Sequence, residues 1–262
     1  MKRICVLTGG SSGIGKTTAA LLAEDGYTVY ELSRSGADAA NIRHITADVT
    51  NADQVREAIK QVLDAEGRID LLVNNAGFGI SGAVEFTDPA DAFAQLNVNF
   101  FGTLHCVQAV LPAMRAQKSG HIVNISSVAA PIAIPFQSFY SATKSATNSL
   151  TLALRNEVKP FGIKVCAILP GDVKTGFTAS RKKSVDGADV YGKALAHAVS
   201  VMEHDEQNGM PPELVAKAVL RAAKRKNPPA FATVGFQYQI FVLLNKLLPT
   251  SWSNALVGMI YK

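Results

Sequence analysis

The sequence predicts an α/β fold in which a doubly wound parallel sheet carries helices on both faces. Short β-branched runs alternate with single helix-length segments through the first two-thirds of the chain. A strand lying parallel to its predecessor needs such a crossover. The runs LLVNN at 71–75 and IVNIS at 122–126 are apolar without alternation until their polar ends, as strands covered on both faces are. In such sheets ligands bind beyond the carboxyl ends of the strands. Functional groups are therefore expected just after Thr8, Ser33, Asn74, Ser126 and Leu169, where polar residues or glycines follow.

Residues 4–8 read as the first strand, and 16–24 as a helix ended by Asp25-Gly26. Strands follow at 28–33 and 42–46. Within 53–66, Val55, Ile59, Val62 and Leu63 recur at helical spacing, and Gly67 stops the helix. Residues 70–74 form a strand and 88–115 a long helical stretch, bent or capped near Pro112. A strand at 121–126, a helix at 140–158 and a strand at 163–169 complete the alternation. The stretch 172–212 is polar and lacks periodicity until about Tyr191, which predicts a substrate loop. A helix at 212–225 and a strand at 230–234 follow. Residues 231–262 form an apolar extension, interrupted by Asn245, Lys246 and Pro249, that is not a bilayer span. With no repeat or linker, 1–262 reads as one domain.

Of the 262 residues, 48% are hydrophobic and 18% charged, which excludes a disordered chain. The net charge of +5 favours anionic ligands mildly, but 26 basic against 21 acidic residues is no nucleic-acid footprint. The basic clusters 181–183 and 221–226 read as solvated faces. Three cysteines without a C-x-x-C pair, two of them in buried-strand runs, fit a reducing compartment. With no leader-like start, a soluble cytoplasmic protein is expected. No metal is expected.

The loop GSSGIGKT at 10–17 satisfies two glycine patterns. As G-x-x-x-x-G-K-T it would cradle a nucleoside triphosphate, but that use wants a strand ending in Asp to hold magnesium. Asp70 opens its strand, HIVNIS ends in serine, and Asp48 is the sole rival. Read from Thr8 it is T-G-x-x-x-G-x-G, a turn and close approach suited to a dinucleotide. That second pattern has company: Asp48-Val49, Asn74-Asn75-Ala76-Gly77, Asn99, Ser127, Tyr140-x-x-x-Lys144 and Pro170-Gly171 follow in order. In this set, over residues 1 to about 175, the chain resembles the short-chain dehydrogenase/reductase family in its common single-domain, Rossmann-type form. Lys16 and Thr17 are then an accidental match.

Reducing a ketone by hydride requires a proton for its oxygen and stabilisation of the developing alkoxide. A free tyrosine, with a pKa of about 10, is a poor acid–base at neutral pH, and a nearby cation favours its phenolate. Tyr140 and Lys144, four apart, share one helix face. Taken singly, each residue has an ordinary structural use as a surface pair, turn or cap. The resemblance implies that Tyr140 is the general acid/base, with Lys144 beside it and bonded to the nicotinamide ribose. It implies that Ser127 orients the substrate oxygen and that Asn99 holds a relay water. The cofactor would lie against Gly9, Ser11, Ser12, Gly13, Ile14, Gly15, Asp48, Val49, Asn75, Ala76, Gly77, Pro170, Gly171, Val173 and Thr175. Ser33 stands where NAD-preferring members carry an acid, and Arg34 follows it, well placed for a 2′-phosphate. NADP(H) is therefore expected over NAD(H), which stays admissible.

Phe78, Ile80, Phe136 and Phe177, with Ser127 and Tyr140, are expected to wall an apolar substrate pocket. The tail and loop resemble members acting on steroids, retinoids or other lipid-like alcohols. That implies a hydrophobic ketone, with hydroxysteroid dehydrogenase activity as the sharpest version. Rival expectations are a carrier-linked 3-oxoacyl reductase and an idle NADPH-binding regulator. The family commonly pairs through the two long helices, implying a homodimer or homotetramer. Peripheral membrane contact through the tail is admitted without being favoured.

Overall fold

A computed structural model describes residues 2–184 and 186–261. The first half runs β1 (Arg3–Thr8), α1 (Gly13–Glu24), β2 (Tyr27–Ser33), β3 (Ile42–Thr46), α2 (Ala52–Glu66) and β4 (Leu71–Asn74). A short strand β5 (Ile80–Ser81) precedes α3 (Pro89–Leu96), α4 (Gly102–Gln117), β6 (Gly120–Ile125), α5 (Ser138–Glu157) and β7 (Ile163–Pro170). Beyond β7 come α6 (Phe177–Ser180), β8 (Lys182–Lys183), α7 (Ala188–Gln207), α8 (Pro212–Lys224), β9 (Phe231–Val234), α9 (Phe236–Leu247) and α10 (Thr250–Ile260).

Seven strands form one sheet in the order β3-β2-β1-β4-β6-β7-β9, every neighbouring pair parallel. The chain winds outward from β1 to β3, then returns to start the other half at β4. That reversal opens a crevice at the carboxyl ends of β1 and β4, where open α/β sheets hold ligands. Strand parity sends Ile4 and Val6 to one face, against Val55, Ile59, Val107, Val110 and Leu154 of α2, α4 and α5. Cys5 and Leu7 go to the other, against Leu22, Val215 and Val219 of α1 and α8. Both faces are thus covered, as the apolar strands required. β5 and β8 pair separately.

Two elements differ from their sequence reading. The helical stretch at 88–115 is not capped at Pro112, which lies exposed within α4, and α4 runs on to Gln117. It breaks at Asn97–Phe101, a π-helical turn between α3 and α4. Such a turn admits an extra residue and is frequent at functional sites. Here it turns Asn99 inward until it is 1% exposed. The following Gly102 packs so close that a Cβ there would lie 2.7 Å from Val49 Cγ2. The polar stretch 172–212 is also more regular than expected, because α7 begins at Ala188 and is merely broken at Gly192, φ +47°. Among the described residues no helix is long and apolar enough to cross a membrane.

Candidate active site

The glycine loop is built from β1 outward. Thr8 Oγ1 accepts the backbone N–H groups of Asn75 and Ala76 at 3.0 and 3.1 Å. Asn75 Nδ2 returns two bonds, to the carbonyls of Thr8 and Gly9. This lacing joins the ends of β1 and β4 across the crevice. Gly9 has φ +68°, and a Cβ there would sit 2.9 Å from Ala76 Cα; a Cβ on Gly15 would lie 2.1 Å from the Gly9 carbonyl oxygen. Only glycine permits both approaches. Ser12 caps α1 without a side-chain bond, and the first turn carries no acid. The first N–H groups of α1 therefore face the crevice as an anion site. Lys16 is exposed on α1 and does not line the cavity.

The buried Glu31 braces this loop from beneath. One carboxylate oxygen accepts Gly10 N–H at 2.8 Å, and the other meets His44 Nδ1 at 2.6 Å. The acid of β2 is thus spent under the loop and is not free to meet a ribose at its lip. Arg34, exposed there, makes no ion pair among the described residues and lines the cavity with Ser11, Ser12 and Asp48.

The cavity holds about 1800 Å³ and runs from that lip past Asn75, Ala76 and Gly77 to Ser127, Tyr140 and Lys144. Tyr140 and Lys144 share the inner face of α5, with Lys144 Nζ 5.6 Å from the Tyr140 ring centroid. Lys144 is 5% exposed and donates to the Ile125 carbonyl at 2.8 Å. Burial lowers its pKa to about 8. Burial pushes the Tyr140 phenol up to about 12, opposed by the Ser127 hydroxyl, with Glu206 and Asp172 adding to the rise and Arg181 opposing it. Ser127 Oγ also accepts the Ala129 N–H at 3.1 Å, which orients it.

Asn99 lies behind this group and does not line the cavity. Its Oδ1 accepts Phe78 N–H at 3.0 Å, while Nδ2 donates to the Phe78 carbonyl and to Thr143 Oγ1. Both amide protons are thus used, one on the 77–78 turn and one on Thr143 of α5. The group left to meet a water is its backbone carbonyl, in the π-helical turn and also bonded by Thr103.

At the end of β7 and just past it, Pro170, Gly171, Val173 and Thr175 form the opposite wall. Thr175 Cβ stands 3.4 Å from where a Gly13 Cβ would be, so this segment closes over the loop. Of the expected substrate residues, Phe78 and Phe177 line the cavity, and the Phe177 ring lies 5.7 Å from that of Tyr140. Ile80 and Phe136 do not. Ile80 is buried at the β5–β8 pairing, and Phe136, at φ +58°, turns its ring against Tyr191. Ile132 and Ile134 stand in the wall instead, with Tyr238, Phe241 and Leu244 of α9 and Leu256 of α10. The alternation in PIAIPF at 131–136 was the signal for the first two. Tyr238 Oη donates to Asp172 at 2.6 Å, and Gly171 admits the tyrosine ring where any Cβ would clash. Of the basic run 181–183, Lys182 and Lys183 are exposed as expected and pair with Asp91 and Glu203, but Arg181 is not solvated: it is buried against Glu206.

A parallel sheet with a glycine cradle at its switch point and a Ser, Tyr and Lys gathered beyond it define a dinucleotide-dependent oxidoreductase. The family model for short chain dehydrogenases matches residues 3–186. The chain belongs to that family, whose members act on CH–OH and C=O groups. A 3-ketodihydrosphingosine reductase of Bacteroides thetaiotaomicron is 41% identical over 247 residues, covering 93% of this chain and 92% of that protein. A short-chain dehydrogenase from Streptomyces avermitilis superposes with a TM-score of 0.84 at 30% identity, covering 94% of this chain and 92% of the other. ElxO, solved with NADP bound, gives a TM-score of 0.77 at 29% identity, covering 92% of this chain and all of ElxO.

Proposed function

We propose that this chain is an NADP(H)-dependent reductase of a long-chain lipid-like ketone, 3-ketodihydrosphingosine or a near analogue. The observation that carries the reading is one cavity that joins the glycine cradle, Tyr140 with Lys144, and apolar walls from α9 and α10. Among the hydrophobic ketones, a long alkyl chain is favoured over a steroid by the name of the Bacteroides relative. The residues fit a dinucleotide: Ser11, Ser12 and Gly13 line the cavity at the open N-terminus of α1, where a pyrophosphate would sit, and Arg34, which makes no ion pair among the described residues, would meet a 2′-phosphate. When bound, the nicotinamide supplies the hydride. Tyr140, whose raised pKa keeps it protonated at and above neutral pH, gives its proton to the ketone oxygen. The Lys144 ammonium stabilises the phenolate that results, and Ser127 holds the carbonyl in place by a hydrogen bond. Asn99 positions the turn beneath them.

Arg34→Ala is expected to raise the KM for NADPH about 10–100-fold, the value of charge-assisted hydrogen bonds worth roughly 1.5–3 kcal/mol. The KM for NADH should hardly move. Equal losses with both cofactors would remove Arg34 from the 2′-phosphate.

Carrier docking is disfavoured because the basic run at 181–183 is internally paired. An idle regulator has no use for Ser127, Tyr140 and Lys144 together. The same reading takes 1–262 as one cytoplasmic domain, its three free buried cysteines suited to a reducing compartment. It takes the assembly as a homodimer or homotetramer through α4 and α5, supported by the exposed Phe101 and Leu152 on that side. The deciding assay follows NADPH oxidation with 3-ketodihydrosphingosine, steroid ketones and short acyl ketones. Turnover confined to short polar ketones would end the lipid reading.

A further inference from the structure

The helices α9 and α10 carry apolar side chains on the side away from the cavity as well as toward it. On α9, Tyr238, Val242 and Asn245 face inward; Val242 is 8% exposed, and Asn245 Nδ2 donates to the Pro131 carbonyl at 2.9 Å. Phe236, Ile240, Leu243 and Leu247 follow one another at helical spacing along the other side. They are 79%, 41%, 55% and 72% exposed. Trp252, at the start of α10, is 66% exposed. A stripe of this kind on a water-soluble chain marks an interaction site.

Charge and position say what covers it. From Leu214 to the C-terminus there is no Asp or Glu, and α9 carries Lys246 as its sole charge. The stripe meets the cavity mouth at its first residue, because Phe236 also lines the cavity, as do the exposed Phe241 and Leu256 beside it. A second copy seated here would cover that mouth, whereas a bilayer would feed it. Aromatic and lysine side chains beside an apolar face suit the membrane–water boundary.

We infer that α9 and α10 dock on an anionic phospholipid surface and set the cavity mouth against it, so that a lipid ketone enters without crossing water. The entry role rests on the reductase reading above; the docking does not. Trp252 is the chain's single tryptophan, so its emission reports the contact directly. With vesicles of phosphatidylethanolamine and phosphatidylglycerol the emission should shift to the blue and the protein should float with them; phosphatidylcholine vesicles should bind more weakly. Leu243→Ser with Leu247→Ser, neither lining the cavity, should weaken vesicle binding roughly tenfold per residue. The double variant should raise the KM for vesicle-borne ketone and leave kcat on a short soluble ketone unchanged. Vesicle binding without turnover of any long-chain ketone would uphold docking and sink the substrate reading alone. Emission that is unmoved by vesicles overturns docking. If that emission is already blue and reddens on dilution, a second copy is the occupant; if it is red throughout, the face is bare.

Discussion

Tyr140→Phe is expected to lower ketone reduction by about 10²–10⁴-fold, the range for loss of a positioned acid, with NADPH affinity little changed. The phenylalanine keeps the ring that meets Phe177 at 5.7 Å and removes only the proton donor. A fall in kcat with a steady cofactor dissociation constant is the result that assigns the proton to Tyr140. If kcat survives, Ser127 or a water supplies the proton and the assignment fails. The wild-type pH profile carries a related expectation. Reduction consumes the protonated phenol, and burial, which raises its pKa to about 12, keeps it protonated well above neutral pH. The charge that stabilises the resulting phenolate is lost as Lys144 deprotonates through about 8. Reduction should therefore decline above that pH, and the decline should be absent from Lys144→Met, whose rate is low throughout.

Lys144→Met is expected to destroy turnover and at the same time to stabilise the fold. Among the described residues the Lys144 ammonium makes one hydrogen bond, to the Ile125 carbonyl, in a buried position. Its pKa falls from 10.5 to about 8 on folding, so burial disfavours the charged form by about 3 kcal/mol, at 1.36 kcal/mol per unit. Losing the bond to Ile125 costs about 1 kcal/mol. The net gain of about 2 kcal/mol corresponds to a rise in Tm of roughly 4–8 °C for a chain of this size. The sign of the pH dependence follows from proton uptake. Between pH 8 and 10.5 the unfolded lysine binds more protons than the folded one, so wild-type stability increases with pH there. The advantage of the methionine is full below pH 8 and shrinks as pH approaches 10.5. Melting curves for both proteins across that range measure it. A variant no more stable than wild type at neutral pH would show that the ammonium is solvated within the cavity.

Both experiments concern a site whose parts were visible as letters long before their arrangement was. Tyr140 and Lys144 are four residues apart, and a helix of any provenance puts them on one face. The glycines at 9 and 15 were legible because a loop that packs its backbone within van der Waals distance of another excludes every side chain, and Gly13 because its positive φ favours glycine. The apolar runs gave the strands, since a strand covered on both faces needs apolar residues at every position. The break at Asn97–Phe101 was not legible. Pro112 was the visible breaker, but α4 continues through it, and the actual break answers Asn99 bonding to Phe78 from another segment. Glu31 is an acid two residues before Ser33, on the same side of β2. Its use beneath Gly10, with His44 of β3 on its other oxygen, depends on a strand pairing that no local pattern encodes.

The substrate side shows the same division. Phe78 and Phe177 reached the cavity, while Ile80 and Phe136 were drawn into the β5–β8 pairing and against Tyr191. Hydrophobicity alone states that a side chain will be buried, not against what. Arg181 looked like part of a solvated basic run, and its burial against Glu206 was decided by how α7 folds back across the loop. By itself the sequence determined the parallel α/β architecture, the glycine cradle and the placing of Tyr140 beside Lys144, because each depends on short-range periodicity or on backbone sterics within a few residues. Only the tertiary structure decided which apolar residues wall the cavity, where the β2 carboxylate is spent and which side of the last two helices stays bare. Those outcomes are set by packing between segments distant in the chain, where many pairings satisfy the same local pattern and the close-packed core admits one.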